Sequence, residues 1–131
     1  MKRWLPLLGV CLVGCGTPSA DLFVVERSGD LPGAKLDLVV GDGTTVRCDG
    51  REREMTSQQL LDARDLAKDL LPLLDKGITL PPGEQSLLRF KVIGDPGSVE
   101  FSDSSPGLRP EFARVIALTR ELAKQSCGLP R

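Results

Sequence analysis

The chain has 131 residues, with 17 basic and 18 acidic side chains and no histidine, so its formal net charge is −1 at pH 7. This balance, with four phenylalanines and no tyrosine, argues against nucleic-acid binding, which needs a basic surface interleaved with stacking aromatic side chains. The lack of histidine excludes Ser-His-Asp and Cys-His nucleophiles and zinc sites that use imidazole, so we expect a protein that is not an enzyme and holds no metal or cofactor.

The first 15 residues follow the plan of an export signal. Met1-Lys2-Arg3 supplies positive charge, residues 4–13 form an apolar run, and Gly14 is the small residue ahead of Cys15. A run of about 10 residues is too short to span a bilayer, which takes about 20. The segment is therefore predicted to be cleaved.

The string Leu12-Val13-Gly14-Cys15 resembles the lipobox of bacterial lipoproteins. The resemblance implies that residues 1–14 are a signal peptide that is removed and that the thiol of Cys15 is diacylated. Two or more acyl chains give stable attachment to a bilayer. The resemblance thus implies a lipid-anchored protein on the extracytoplasmic face of a cell membrane.

Two other processing sites fit the sequence less well. Cys11 follows Val10, a β-branched residue where a lipobox has Gly, Ala or Ser. An ordinary secretory cut after Ala20 would place Pro18 at a position that favours a small residue. Cys15 is therefore the predicted lipidation site.

The mature chain is predicted to be one tethered domain. From Cys15 onward it has 117 residues (131 less 14), and the loss of Lys2 and Arg3 takes its net charge from −1 to −3. This length can bury a core without metals. We expect residues 15–21 to be a lipidated tether and residues 22–131 a single domain. Because six extended residues span no more than about 20 Å, the domain should sit close to the lipid headgroups.

Cys48 and Cys127 are the two cysteines that remain for the folded domain. In an oxidising compartment two such thiols generally pair. A redox-active or metal-binding pair is the alternative, but the sequence lacks a CxxC spacing and partner ligands. We expect a structural disulfide.

The first part of the domain reads as three strands. Residues 22–27 are rich in β-formers, and a run of breakers follows at 28–33. Alternating apolar residues at Leu36, Leu38 and Val40 predict a second, half-buried strand.

A hairpin turn is predicted after this second strand. Asp42-Gly43 tolerates the positive φ that such a turn uses, and residues 44–48 then return as the third strand. The mixed charges of residues 51–54 read as a hydrated loop.

A helix is predicted to begin at Thr56, which forms a capping-box pattern with Gln59. Pro72 is compatible with this helix only if it ends or kinks near Leu71, because the proline ring clashes with the carbonyl four residues earlier. The predicted buried stripe consists of Leu60, Ala63, Ala67, Leu70, Leu71 and Leu74.

A second hairpin and a closing helix complete the domain. Alternation predicts strands at 88–92 and 98–102, joined by a turn at Asp95-Pro96-Gly97. Pro110 suits the first turn of a helix, which we expect to end at Cys127-Gly128. Its apolar face carries Phe112, Val115, Ile116, Thr119, Leu122 and Ala123.

The order β-β-β-α-β-β-α predicts an α+β fold. We expect an antiparallel sheet of about five strands with two helices on one face and one disulfide.

Three loops rich in Gly and Pro are the candidate recognition elements, because loops held by a rigid sheet commonly carry function. They comprise residues 28–34, 81–85 and 102–107. Leu31, Pro32 and Leu108 are the apolar side chains predicted to be offered to a partner. Simple connection is the alternative interpretation.

An acidic docking face is a further candidate on the first helix. Asp62, Asp65 and Asp69 recur at helical spacing. Arg64 and Lys68 are interleaved with them, however, so a solvated surface with local ion pairs is the preferred interpretation.

The strings Arg27-Ser28-Gly29 and Pro32-Gly33, followed by a strand, an amphipathic helix, a hairpin and a Pro-led helix, are similar to the pattern of emfourin-like inhibitors of M4 metalloproteases. The resemblance implies protease inhibition through the 28–34 loop. The Cys48–Cys127 pair and the lipid anchor are departures from that family, and no inhibitory residue is carried over.

The sequence as a whole predicts a non-catalytic binding module for an extracytoplasmic protein or a small ligand. Its membrane contact is the lipid anchor, and no nucleic acid is expected as a partner. An emfourin-like inhibitor is the first alternative, and a structural component of the cell envelope is the second.

Overall fold

A computed structural model describes residues 21–131. They form a six-stranded antiparallel sheet and two helices. The strands are β1 (Asp21–Gly29), β2 (Leu36–Gly41), β3 (Thr45–Cys48), β4 (Arg51–Glu54), β5 (Leu88–Gly94) and β6 (Gly97–Ser102). The helices are α1 (Ser57–Lys76) and α2 (Pro110–Glu121), and α2 continues into a π-helical turn, Leu122–Ser126. The α+β class is confirmed, with six strands where about five were predicted.

The sheet has the order β4-β3-β2-β1-β5-β6, so the first strand in sequence lies in the interior of the sheet. Val25 of β1 is opposite Leu38 of β2 on one side and Val92 of β5 on the other. Helix α1 connects β4, at one edge, to β5 beyond β1. The pairing of β1 with β2 and β5 therefore fixes which side chains are neighbours on each face of the sheet.

One face of the sheet is the core face. Because successive side chains on a strand point to opposite sides, every second residue is buried there, and both helices pack over this layer. Phe101 of β6 stacks with Phe90 of β5 at a centroid distance of 5.5 Å and with Phe112 of α2 at 4.5 Å. The stack joins the second hairpin to α2. The buried apolar strand residues in this layer are Phe23, Val25, Leu36, Leu38, Val40, Val46, Cys48, Phe90, Val92, Val99 and Phe101.

Helix α1 begins with the predicted capping box. The Gln59 amide donates to Thr56 Oγ1 at 3.1 Å, and the Thr56 amide donates to Gln59 Oε1 at 2.9 Å. The Gln59 side chain also donates from Nε2 to Gln125 Oε1 at 3.1 Å. The start of α1 is thereby attached to the π-helical turn.

The buried stripe of α1 differs from the prediction. Leu71 is 55% exposed, whereas Leu66 and Leu73 are buried. Leu60 and Ala67 are half-buried at the edge of the stripe. The prediction treated apolar residues such as Leu71 as buried. The buried positions instead recur at helical spacing starting from Gln59. Its members are Gln59, Ala63, Leu66, Leu70, Leu73 and Leu74.

Pro72 does not end α1, which continues to Lys76 and is capped by Gly77 with a φ of 64°. Of the two alternatives predicted for this position, an end or a kink near Leu71, the end does not occur. Pro72 lies on the exposed side, so water can bond the Lys68 carbonyl that loses its helical donor. Burial of the opposite face holds the last turn in place.

Residues 51–54, predicted as a loop, form the edge strand β4 paired with β3. All four side chains are exposed, so the strand has no apolar alternation that would reveal it. The turn before it has left-handed backbone at Asp49 (φ 49°) and Gly50 (φ 83°), as a two-residue hairpin loop requires. The left-handed geometry predicted at Asp42-Gly43 occurs at this later Asp-Gly pair.

The predicted disulfide between Cys48 and Cys127 is confirmed. Their Cα atoms are 5.8 Å apart, and 79 residues separate them in sequence. The bond joins the end of β3 to the residue after the π-helical turn, where the helix ends as predicted. It therefore fastens the last helical segment to the sheet.

Candidate functional site

The face of the sheet opposite the helices, here called the open face, carries the outward side chains of β2, β1, β5 and β6. Register places these side chains in three rows that run across the strands. Neighbouring rows are about 7 Å apart, because two residues of a strand span that distance. The sheet has two ends along the strand direction. At the loop end β1 ends and β5 begins, and the opposite end is the hairpin end.

The row nearest the loop end is cationic. Ser28 of β1 is opposite Arg89 of β5, and Lys35, immediately before β2, lines the same groove. Lys35, Arg89 and Ser28 are all exposed. This row, the cationic row, presents one positive charge on each side of the Ser28 hydroxyl.

The middle row is acidic overall. Glu26 of β1 is opposite Asp37 on one side and Lys91 on the other, and Lys91 is opposite Glu100. Lys91 Nζ lies 4.0 Å from Glu100 Oε1. Three carboxylates and one ammonium leave this acidic row with a surplus of negative charge.

The third row is apolar. Val24 of β1 is opposite Val39 of β2 and Ile93 of β5. All three side chains are half-buried. Along β1, the open face therefore changes from cationic through acidic to apolar.

A wall formed by residues 79–82 closes one side of this face. The Leu80 amide donates to the Glu100 carbonyl at 2.8 Å, and the Glu100 amide donates to the Ile78 carbonyl at 3.0 Å. These bonds hold the segment along β6. With the first two rows, the wall bounds a groove of about 700 Å³, within the usual range of ligand sites, about 300–1,000 Å³.

Four charged side chains of the groove have no ionic partner within the described residues. The side chains of these four residues, Glu26, Asp37, Lys35 and Arg89, take part in none of the ion pairs or hydrogen bonds of residues 21–131, and it is the backbone amide of Asp37 that donates to Asp49 Oδ1. Elsewhere on the surface Arg64 bonds Asp42 at 2.6 Å. The groove thus keeps both signs of charge available to an incoming group.

The three predicted loops come together at the loop end. The Asp30 amide donates to the Leu87 carbonyl at 3.2 Å, and the Leu87 amide donates to Asp103 Oδ1 at 3.2 Å. Gly83 approaches Ser104 so closely that a Cβ would lie 2.1 Å from the Ser104 carbonyl oxygen. The loops therefore form one connected surface.

The predicted partner-binding side chains lie on this surface with different exposure. Pro32 is exposed and Leu31 is half-buried. Leu108 is half-buried and packs against the core, so part of it supports the fold. Leu31 and Pro32 are outside the groove lining, which includes Pro81 and Pro82 of the second loop.

Arg27 supports the loop end from beneath. It is 3% exposed, and its guanidinium donates to the carbonyls of Ala34 at 2.8 Å, Gly33 at 3.3 Å and Arg131 at 3.2 Å. Burial lowers the pKa of Arg27, the positive charge of Arg131 lowers it further, and Asp49 opposes the shift. The side chain fixes the 31–34 turn beside the cationic row.

The predicted acidic face of α1 is split by an ion pair. Asp69 Oδ2 accepts a hydrogen bond from Arg114 of α2 at 2.6 Å, and Gln58 donates to Asp62 Oδ1 at 2.9 Å. Residues 21–131 contain no cluster of three or more acidic or cysteine side chains arranged to hold a metal ion. Two of the three carboxylates of this face, those of Asp62 and Asp69, therefore act in local surface contacts.

Cys15 and the signal segment 1–14 lie outside the described residues. Over residues 21–131, neither helix has the length and apolarity needed to cross a bilayer. Strand β1 starts at Asp21, opposite Gly41, at the hairpin end. The chain therefore enters the domain from the end of the sheet away from the loops.

Sequence reasoning did not identify the groove. The period-two alternation that placed Leu36 and Leu38 inward also puts Lys35 and Asp37 outward, and the same reasoning applies to Arg89 and Lys91. What was missing was the pairing of β1 with β5, which brings these charges together.

Comparison with protein-family models, curated proteins and solved structures gave no match to this chain.

Proposed function

We propose that this protein is a lipid-anchored, extracytoplasmic binding module that has no catalytic role and uses the groove of the open face. The observation that carries the binding role is the set of unpaired charges, Lys35, Arg89, Glu26 and Asp37, around a concavity of about 700 Å³. Exposed charges without an ion-pair partner also occur elsewhere on residues 21–131, for example Asp65 and Lys68, so it is the convergence of these four around a concavity that supports a binding role.

The lipid anchor is supported by the lipobox-like string ending at Cys15, and the place where the chain enters the domain determines how an anchored domain is oriented. The tether from Cys15 to Asp21 reaches no more than about 20 Å and joins β1 at the hairpin end. Anchored in this way, the domain presents its loop end away from the bilayer. The cationic row then lies on the side that meets other molecules of the envelope.

The anchor is tested by separate cysteine variants in a bacterial host. Cys15→Ser should abolish incorporation of labelled palmitate and move the protein from the detergent phase to the aqueous phase. Cys11→Ser is the matched control and should leave both unchanged. Globomycin, which blocks the lipoprotein signal peptidase, should make the precursor accumulate. An unchanged mature size with globomycin, or labelling that survives Cys15→Ser, would contradict the anchor.

The binding site is tested with a photo-cross-linking amino acid placed at Ser28 in intact cells. Ser28 is exposed at the centre of the cationic row, so we expect a cross-linked product there. The same probe at Lys68, exposed on α1, is the control. Equal products at both positions, or none at Ser28, would contradict the groove as the binding site.

A further inference from the structure

We propose that the groove and the apolar row next to it bind an extended peptide segment whose sheet-facing side chains are acidic, basic and apolar at successive two-residue intervals. The inference rests on the proposed binding function and names the class of ligand. It follows from the order of the three rows along β1, with Ser28 at the loop end, then Glu26, then Val24.

The spacing of the rows matches the repeat of an extended chain. Side chains that point to the same side of a strand recur every two residues, about 7 Å apart, and the rows of the open face have the same separation. A peptide lying along β1 therefore places successive sheet-facing side chains over successive rows. A helix places neighbouring side chains at intervals of three and four residues and cannot keep this register.

The charges determine the order of the ligand's side chains. A carboxylate above Ser28 would lie between Lys35, immediately before β2, and Arg89 of β5. A cationic side chain above Glu26 would meet that carboxylate and Asp37. Lys91, the other neighbour of Glu26, is directed to Glu100 at 4.0 Å. An apolar side chain would follow above Val24.

The wall adds a preference for a chain over a compact solute. Leu80, Pro81 and Pro82 line one side of the groove and offer apolar contact to the side of a bound strand. The tether of this chain is not the occupant that the charges favour, because residues 16–20 carry no charged side chain. An amphoteric segment of a partner protein matches both the charges and the wall.

The test uses short fluorescent peptides with blocked ends and the purified full protein as its host processes it. The matched probes carry Glu-Ser-Lys-Ser-Val and its reverse order, since the chain direction is open. The control peptide, Lys-Ser-Glu-Ser-Val, exchanges the two charges and keeps composition and length. Anisotropy titration should show at least about fivefold tighter binding of one matched probe, the scale expected of a few exposed charge pairs.

A charge-exchanged protein provides a second measurement. Glu26→Lys with Arg89→Glu should abolish the preference, because Lys35 and Asp37 remain and each row then holds one positive and one negative charge around the ligand's side chain, with Lys91 directed to Glu100. Both side chains are exposed, and an unchanged melting temperature verifies folding. Asp65→Lys with Lys68→Glu makes the same exchange on α1 and should leave the preference intact.

Equal affinities of the wild-type protein for the matched and control peptides would overturn the inference, even if no variant folded. So would a cross-link from Ser28 to a partner segment that lacks the acidic, basic and apolar order. In that second outcome the proposed binding function stands and only the ligand class is wrong. Absence of both the cross-link and peptide binding would remove the two together.

Discussion

Arg27 illustrates how a single side chain organises the end of the sheet that bears the groove. It occupies a core-facing position of β1, opposite Leu36 and Phe90, and forms no ion pair with an Asp or Glu side chain of residues 21–131. Three main-chain carbonyls accept its hydrogen bonds instead. Because its pKa is lowered by burial, the charged form is disfavoured in the folded state, and this cost is relieved only in strongly alkaline solution.

Replacement of Arg27 by methionine should lower the free energy of unfolding by about 1–3 kcal/mol, because buried carbonyls lose their donor. Chemical denaturation at pH 7 measures this change. The decrease in the free energy of unfolding caused by Arg27→Met should be constant from pH 5 to pH 9, since arginine stays protonated in the folded and unfolded states over that range. Arg120→Met, at an exposed position of α2, is the control, and an equal cost in both variants would contradict the structural role of Arg27.

The prediction of individual residues succeeded where one local rule decided the outcome. Thr56 and Gln59 follow a capping pattern, and Cys48 and Cys127 were the two thiols left to pair. Arg27 was missed because a charged residue in an alternating strand is not expected to point inward. Its bonds to Ala34 and Arg131 come from turns that no local pattern specifies.

At the scale of elements, α1 keeps a proline because the opposite face of the helix is buried. Pro72 is exposed in a helix that continues to Lys76, while Leu70, Leu73 and Leu74 hold the surrounding turns to the core. Proline costs about 3 kcal/mol relative to alanine in a helix interior. Packing therefore outweighs local propensity in this helix.

We expect Pro72→Ala to stabilise the protein by about 1–3 kcal/mol, since the Lys68 carbonyl regains a helical donor and the ring clash is removed. The more flexible unfolded chain offsets part of the gain. Thermal and chemical denaturation measure it. Lys68→Ala, one turn earlier on the exposed side, should change stability little, and a loss of stability in Pro72→Ala would contradict this account of α1.

Strand β4 is an exposed edge that opposes pairing with its own copy. Glu52 is opposite Arg47, on the open face, and Arg53 is opposite Val46, on the core face. When two such edges pair about a twofold axis and extend the sheet, residues of the same face meet. Glutamates then oppose glutamates and arginines oppose arginines, which destabilises the pair.

Glu52→Val with Arg53→Val should remove this protection and cause association that increases with concentration. Sedimentation velocity over a range of concentrations detects it, with the wild-type protein under the same conditions as reference. Asp65→Leu with Lys68→Leu adds comparable apolar surface to α1 and should associate less. Equal association of the two variants would indicate a general effect of hydrophobicity.

The elements that alternation or capping marks could be predicted, whereas β4 and the groove could not. A strand of four exposed charged residues has the composition of a loop, and only the Asp49-Gly50 turn indicates its return. The groove depends on β1 being placed between β2 and β5. Local periodicity does not specify the β1–β5 pairing, which joins residues 59 to 69 positions apart in the sequence.

For the whole molecule, the disulfide joins the two layers. It connects the end of β3 to the residue after the π-helical turn. Gln125, two residues before Cys127, accepts a hydrogen bond from Gln59 at the start of α1. The last helical segment is therefore held by a covalent bond and by the start of α1. The helices are thereby held on the core face of the sheet, and the open face stays uncovered by them.

Removal of the disulfide by Cys48→Ala with Cys127→Ala should lower the free energy of unfolding by about 2–4.5 kcal/mol, the upper value being that expected for closure of a loop of 79 residues. Reduction of the native protein is the control and should give a similar decrease, with intact mass rising by about 2 Da as two thiols form. Unchanged stability in both would contradict a stabilising role for this bond.

The interior position of β1 has a mechanical consequence. Under the proposed anchoring, a force between the bilayer and a ligand at the loop end acts along β1, which enters at Asp21 and is bonded to β2 and β5 on its two sides. Antiparallel hydrogen bonds lie perpendicular to the strands, so this pull loads both ladders in shear, with the bonds sharing the load. Peeling an edge strand would break them one after another. Under this anchoring, the pulling force enters the domain through a strand that is hydrogen-bonded on both sides. Such an arrangement suits a domain that must stay folded while its bound ligand is pulled.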